Sequence, residues 1–130
     1  MMTDQANLAA RKPLIAVVDD DLSVRKSLSR LLRSAGYAVR SFGSAQEYLD
    51  SMGTPSPGCL VLDVQMPGMS GFKLQARLKD LGLEVPIVFI TAHNTPQTGI
   101  CACQRGTVGL LFKPFDDNAL LEVVGKAVAL

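Results

Sequence analysis

The sequence has few of the residues that form disulfide bonds or other stabilising sites in a small protein. It contains three cysteines and one histidine, and it has no tryptophan. An odd and sparse set of cysteines excludes a disulfide framework, so a reducing compartment is the simpler assumption. The longest apolar runs, LIAVV and IVFI, are too short to cross a membrane, and residues 1–12 hold no apolar run suited to a signal peptide. We therefore expect a cytoplasmic protein with a short flexible tail over residues 1–12.

An excess of charge of either sign is also missing. Thirteen basic and twelve acidic residues give a net charge of +1, which argues against a nucleic-acid surface and against an acidic tail. The 130 residues, 48% of them hydrophobic, suffice for one domain with one core. No internal repeat, linker or second domain is apparent in the sequence.

Short β-branched runs alternate with longer amphipathic stretches along the chain. The runs predict strands at residues 14–18, 38–42, 59–62, 86–90 and 109–112. The amphipathic stretches predict helices at residues 24–35, 45–52, 71–81, 95–105 and 118–128. The fourth of these helices is weak, because Gly99 costs about 1 kcal/mol relative to Ala. Strands that alternate with helices pair in parallel and bury both faces, so we predict a doubly wound α/β fold.

Polar residues stand where these strands end. Asp19–Asp21 follow the first strand, Asp63 the third, Thr91 the fourth and Lys113 the fifth. Parallel strands end at one edge of the sheet, and ligands bind there, so we expect these side chains to meet. Asp21 is expected to act more as a helix cap, since Asp is favoured at that position.

A meeting of carboxylates needs a counter-charge. Two carboxylates about 4 Å apart repel by roughly 4 kcal/mol at an effective dielectric constant near 20. A hard divalent cation such as Mg²⁺, with oxygen ligands, removes this repulsion and keeps positions open for a phosphate. An aspartate there can attack phosphorus and form an acyl phosphate, while the metal and Lys113 neutralise the phosphoryl oxygens.

Four segments in order resemble the receiver domain of two-component response regulators, in the FixJ-like group. They are VVDDD at 17–21, LDVQMPGMSG at 62–71, VFITAH at 88–93 and KPF at 113–115. The resemblance implies a flavodoxin-like (βα)5 domain over residues 13–130, with a five-stranded parallel sheet in the order 2-1-3-4-5.

The resemblance also implies a metal site and a phosphoacceptor. Asp63 would accept the phosphoryl group and ligate Mg²⁺. Asp20 would ligate the metal directly, Asp19 mostly through water, and Gln65 through its backbone carbonyl.

Further roles follow from the same resemblance. Thr91 and Lys113 would bind the phosphoryl group, and the peptide bond from Lys113 to Pro114 would be cis, which is tolerable only before proline. The side chains of Gln65 and His93 would tune the lifetime of the phosphoryl group.

Such a domain is a signalling module that assists its own phosphorylation and dephosphorylation. A sensor histidine kinase would donate the phosphoryl group. The surface of the fourth and fifth predicted helices would then change and control an output, with transcription the expected one, through dimerisation or release of an output domain. No direct contact with nucleic acid or membrane is expected. The chain departs from the family at the switch position, where Leu110 replaces the usual aromatic residue.

Two other functions stay open from the sequence. One is a haloacid-dehalogenase-like phosphatase that would form its phosphoenzyme on Asp19, although the short chain and the DVQMPG segment argue against it. The other is a pseudo-receiver that acts through protein contacts alone, which the intact set of acids disfavours. A dinucleotide-binding domain is disfavoured because no G-x-G-x-x-G follows the first strand.

Overall fold

The computed structural model describes residues 13–51, 56–92 and 106–130. The predicted tail over residues 1–12, the predicted helix over 95–105 and His93 lie outside these described residues. Within them, the strands and helices follow in the order β1 (Leu14–Val18), α1 (Leu22–Ser34), β2 (Ala38–Phe42), α2 (Ala45–Asp50), β3 (Cys59–Asp63), α3 (Gly71–Asp80), β4 (Ile87–Thr91), β5 (Thr107–Phe112) and α4 (Asp117–Val128).

All five strands form one parallel sheet in the order β2-β1-β3-β4-β5. The predicted flavodoxin-like fold and strand order are therefore confirmed. Every residue of β3 and β4 is buried, because strands in the middle of a doubly wound sheet are covered on both faces. This explains why these strands read as continuous apolar runs in the sequence.

Two hydrophobic layers fix the helices on the sheet. On one face, Leu60 and Leu62 of β3 pack with Leu74 and Leu78 of α3. On the other face, residues of β1, β3 and β4 pack with α1 and α4, through the buried side chains Leu28, Leu32, Leu120 and Val124. Among the described residues, no helix is both long and apolar enough to cross a membrane.

Local capping decides where the helices begin at the functional edge. The Asp21 carboxylate accepts hydrogen bonds from the N–H groups of Ser23 (2.8 Å) and Val24 (3.3 Å), so the predicted capping role is confirmed and α1 begins at Leu22. The Ser70 hydroxyl accepts a hydrogen bond from the N–H of Lys73 and caps α3 in the same way. Both helices thus start immediately after the loops that follow β1 and β3.

Candidate functional site

Asp19 is a fully buried carboxylate at the edge of the sheet where the parallel strands end. It follows β1 directly and has no exposed surface. One carboxylate oxygen, Oδ1, accepts a hydrogen bond from the N–H of Asp21 at 2.9 Å, and the other, Oδ2, lies 2.8 Å from the Nζ atom of Lys113. A fully buried carboxylate needs such partners, because an isolated buried charge is very costly.

Asp19, Asp20 and Asp63 form a cluster of three carboxylates. One ligand oxygen from each lies within 4.8 Å of the other two, a spacing at which one metal ion could contact all three. Asp63 is 5% exposed, whereas Asp20 is exposed to solvent. Hard carboxylate oxygens are the donors that Mg²⁺ prefers, so the residues present fit this ion.

Lys113 places a positive charge between two of these carboxylates. Its Nζ atom lies 2.8 Å from Asp19 and 3.6 Å from Asp63. Burial of Lys113 acts to lower its pKa, but the hydrogen bond to Asp19 and the charge of Asp63 outweigh that effect, so the pKa of Lys113 is raised. The peptide bond between Lys113 and Pro114 is cis.

Asp63 holds its proton more strongly than an ordinary aspartate does. Burial, followed by the negative charge of Asp19, raises the pKa of Asp63 from 3.8 to about 6. The charge of Lys113 and the backbone N–H of Gln65 act in the opposite direction but do not cancel the effect. In the absence of a metal, Asp63 therefore titrates at about pH 6.

The other residues predicted for the site lie around this cluster. Thr91 ends β4, is fully buried, and its carbonyl oxygen accepts a hydrogen bond of 2.7 Å from the N–H of Lys113. Gln65 is exposed two residues after Asp63. Leu110 is half-buried in β5, opposite Phe89 of β4, and packs against the layer that α3 covers. His93, the second tuning residue predicted from the sequence, lies outside the described residues.

The loop after Asp63 returns tightly against its own strand. The N–H of Gly71 donates a 2.9 Å hydrogen bond to the carbonyl oxygen of Val64. A Cβ atom at Gly71 would collide with the carbonyl oxygen of Asp63. Only glycine therefore allows the first residue of α3 to lie directly against the backbone of Asp63.

Arg25 contacts the site although the sequence did not single it out. Its Nη1 atom, on the first turns of α1, donates a 2.7 Å hydrogen bond to the carbonyl oxygen of Asp19. The acceptor is a backbone atom, which every residue type provides, so no motif of side chains marks this contact. Its position six residues after Asp19 was the only available signal.

Comparisons with known proteins agree with the fold. The family model described as response regulator receiver domain matches residues 15–125. Nodulation protein W of Bradyrhizobium diazoefficiens is 45% identical over 116 residues, which cover 89% of this chain and 51% of that protein. The transcriptional regulatory protein FixJ of the same organism is 40% identical over 114 residues, which cover 88% of this chain and 56% of that protein.

A solved structure gives the same result in three dimensions. The crystal structure of FixJ-N superposes with a TM-score of 0.84 at 34% identity, covering 92% of this chain and 95% of that one. The chain belongs to the response regulator receiver domain family, whose members are signalling domains. The predicted FixJ-like resemblance is thus confirmed. The chain spans about half the length of the two relatives named above.

Proposed function

We propose that this domain accepts a phosphoryl group on Asp63 in a reaction that depends on Mg²⁺. The observation that carries the proposal is the cluster of Asp19, Asp20 and Asp63, whose ligand oxygens lie within 4.8 Å of one another and beside the Nζ atom of Lys113. Three oxygen donors and one adjacent lysine combine a site for a hard divalent cation with a charge for phosphoryl oxygens.

Each residue has a distinct task in the proposed reaction. An oxygen of the Asp63 carboxylate attacks phosphorus, and the bond from phosphorus to the donor breaks, so the donor departs with the electron pair of that bond. Mg²⁺, when held by Asp20, Asp63, the Gln65 carbonyl and, through water, Asp19, supplies positive charge to the phosphoryl oxygens. Lys113 replaces one of its carboxylate contacts by a phosphoryl oxygen, and the Thr91 hydroxyl donates a hydrogen bond to another.

The signalling context extends the same proposal. The proposed donor is a sensor histidine kinase. Such a kinase draws its phosphoryl group from ATP in the cytoplasm, so the proposal also places this domain in the cytoplasm. The acyl phosphate adds nearly two negative charges at neutral pH. This charge acts on Thr91 and Lys113, and through them on β5 and the neighbouring helices, so the domain forms a homodimer or releases an output that controls transcription.

The test is intact-mass spectrometry after incubation with acetyl phosphate. Wild type, Asp63→Asn, Asp19→Asn and Asp80→Asn are compared with Mg²⁺ and with a chelator. Asp80 is an exposed carboxylate at the end of α3 and serves as the matched control. We expect one phosphoryl adduct on wild type and on Asp80→Asn, dependent on Mg²⁺, and none on Asp63→Asn.

Two results would contradict this proposal and point to the alternatives. An adduct that persists in Asp63→Asn but disappears in Asp19→Asn would indicate a phosphatase-like enzyme that uses Asp19. A wild-type chain that binds Mg²⁺ but takes up no phosphoryl group from acetyl phosphate or from a kinase would indicate a pseudo-receiver. Size measurements with and without a phosphoryl mimic test the dimer separately.

A further inference from the structure

We propose that Arg25 is a positioning residue for the metal site, which acts by fixing the peptide group between Asp19 and Asp20. The inference rests on the function proposed above, because it concerns how the same carboxylates are held. Arg25 lies on α1 and is half-buried. Its guanidinium contacts the backbone of Asp19 and neither carboxylate oxygen of that residue in any hydrogen bond or ion pair found among the described residues.

Every polar group of Asp19 is tied to a different part of the fold. Its N–H donates to the carbonyl oxygen of Phe42 at the end of β2, at 3.2 Å. Its two carboxylate oxygens accept from Asp21 and Lys113. Its carbonyl oxygen accepts from Arg25 at 2.7 Å, the shortest of these four hydrogen bonds. The residue is thereby held in one orientation.

The carbonyl contact has a consequence for the next residue along the chain. A peptide group is planar, so a hydrogen bond to the Asp19 carbonyl also sets the direction of the N–Cα bond of Asp20. Asp20 is the exposed carboxylate of the cluster and needs this external support to aim its side chain at the ion. Contacts behind the ligands of a metal typically change metal affinity by 10–100-fold when they are removed.

A small residue leaves the room that Arg25 needs. A Cβ atom at Gly43, just after β2, would lie 3.3 Å from Nη1 of Arg25 and 2.9 Å from Oε2 of Glu47. Both contacts are to the ends of flexible side chains, so Gly43→Ala would displace mainly Glu47 and shift the Arg25 guanidinium slightly, without a collision with backbone. The Glu47 carboxylate faces the same space and lies 3.5 Å from the hydroxyl of Ser44.

The sign of the effect separates positioning from simple electrostatics. Arg25 carries a positive charge close to a cation site. If charge alone mattered, its removal would strengthen Mg²⁺ binding, because like charges repel. If Arg25 positions the Asp19–Asp20 peptide, its removal weakens Mg²⁺ binding in spite of the lost repulsion.

The experiment is a calorimetric titration of the chain with Mg²⁺. It compares wild type, Arg25→Met, Arg25→Lys, Gly43→Ala and the control Lys26→Met, which removes the same charge from the neighbouring exposed residue of α1. We expect Arg25→Met to weaken binding by about tenfold or more. Gly43→Ala should weaken it less while keeping the charge, Arg25→Lys should restore part of the loss, and Lys26→Met should bind at least as tightly as wild type.

A second readout links the effect to phosphorylation. With acetyl phosphate as donor, the Mg²⁺ concentration that gives half the maximal rate should rise in Arg25→Met by a larger factor than the maximal rate falls. Thermal unfolding without Mg²⁺ checks that each variant is folded at the titration temperature. Binding by Arg25→Met as tight as that of Lys26→Met would overturn the positioning role.

The two proposals fail in different ways. If wild type takes up no phosphoryl group, the proposed function is wrong whatever the variants do. If wild type is phosphorylated on Asp63 and Arg25→Met keeps its Mg²⁺ affinity, only the role of Arg25 is wrong.

Discussion

Lys113 and Asp19 form an ion pair of 2.8 Å between residues that lie 94 positions apart in the sequence. The pair joins the end of β5 to the end of β1, across the two strands that lie between them in the sheet. Asp19 has no exposed surface, so Lys113, its ion-pair partner among the described residues, offsets its charge when no metal is bound. The lysine therefore stabilises the metal-free domain and at the same time repels an incoming cation.

Replacing Lys113 by Met should separate these effects. We expect the metal-free variant to lose roughly 3 kcal/mol of unfolding free energy, because a buried carboxylate loses its partner. Mg²⁺ affinity should rise, since a positive charge beside the site is gone, while the phosphorylation rate falls. Lys126→Met is the control, because its pair with Glu122 is exposed and worth little. Urea unfolding and Mg²⁺ titration measure the first two of these three quantities and acetyl phosphate labelling the third, and weaker Mg²⁺ binding in Lys113→Met would contradict this account.

The raised pKa of Asp63 predicts how pH affects the metal-free domain. Because the pKa is about 6 in the folded state and 3.8 ordinarily, folding favours the protonated form. The contribution of Asp63 to the free energy of unfolding is therefore fully present below pH 4 and is lost as pH rises through about 6. Asp63→Asn should therefore raise the unfolding temperature at pH 7.5 by on the order of 5 °C.

The same comparison at lower pH provides the check. The difference in unfolding temperature between wild type and Asp63→Asn should shrink as pH falls from 7.5 to 4.5, and saturating Mg²⁺ should remove or reverse it at pH 7.5. A difference that does not depend on pH would show that ionisation of Asp63 is not its cause.

Gly71 and Gly125 form a matched pair of helical glycines with opposite expectations. Gly71→Ala places a Cβ against the carbonyl oxygen of Asp63, so we expect a loss of about 2 kcal/mol or more in stability. A Cβ at Gly125, inside α4, meets nothing within 4 Å, so Gly125→Ala should stabilise by about 0.5–1 kcal/mol. Chemical unfolding of the two variants measures both. Similar values for the two would show that α3 can shift away from Asp63 at little cost.

The contact between Gly109 of β5 and Val123 of α4 should show strong coupling. A Cβ at Gly109 would lie 2.5 Å from Cγ2 of Val123, so Gly109→Ala forces the Val123 side chain, or α4 with it, to shift away from the strand. Val123→Ala removes the colliding methyl groups. We expect the double variant to lose less unfolding free energy than the two single variants lose together, by roughly 1–3 kcal/mol. Additive unfolding free energies would mean that α4 does not depend on this close approach.

The sequence predicted the elements well where burial alone decides them. Each predicted strand is present within two residues of its predicted ends. In β1, β3 and β4 this is because apolar runs bounded by turn residues mark strands covered on both faces. The helix ends were less accurate. α1 begins at Leu22 rather than Val24, because the Asp21 cap recruits two further residues whose side chains carry no helical pattern.

The candidate site was predictable only in part, for a different reason. The topology alone brings the residues at the strand ends to one edge of the sheet. These residues are Asp19, Asp20, Asp63, Thr91 and Lys113. Contacts to backbone atoms cannot be predicted from the sequence in this way. The bond from Arg25 to the Asp19 carbonyl, and the glycine contacts at positions 43 and 71, depend on distances between elements that no spacing in the sequence encodes.

The unequal exposure of Asp19 and Asp20 determines the side from which an ion and a phosphoryl donor can reach the site. Asp19 has no exposed surface and is paired with Lys113, whereas Asp20 is exposed to solvent, so ions and phosphoryl donors reach the carboxylates from the side of Asp20. An ion and a phosphoryl donor then share one entrance. If the domain accepts a phosphoryl group on Asp63 as proposed, that group would cover an ion bound beforehand and would hinder its departure. We expect the domain to keep its ion for as long as it keeps its phosphoryl group, so hydrolysis, rather than ion exchange, would determine how long the signal lasts.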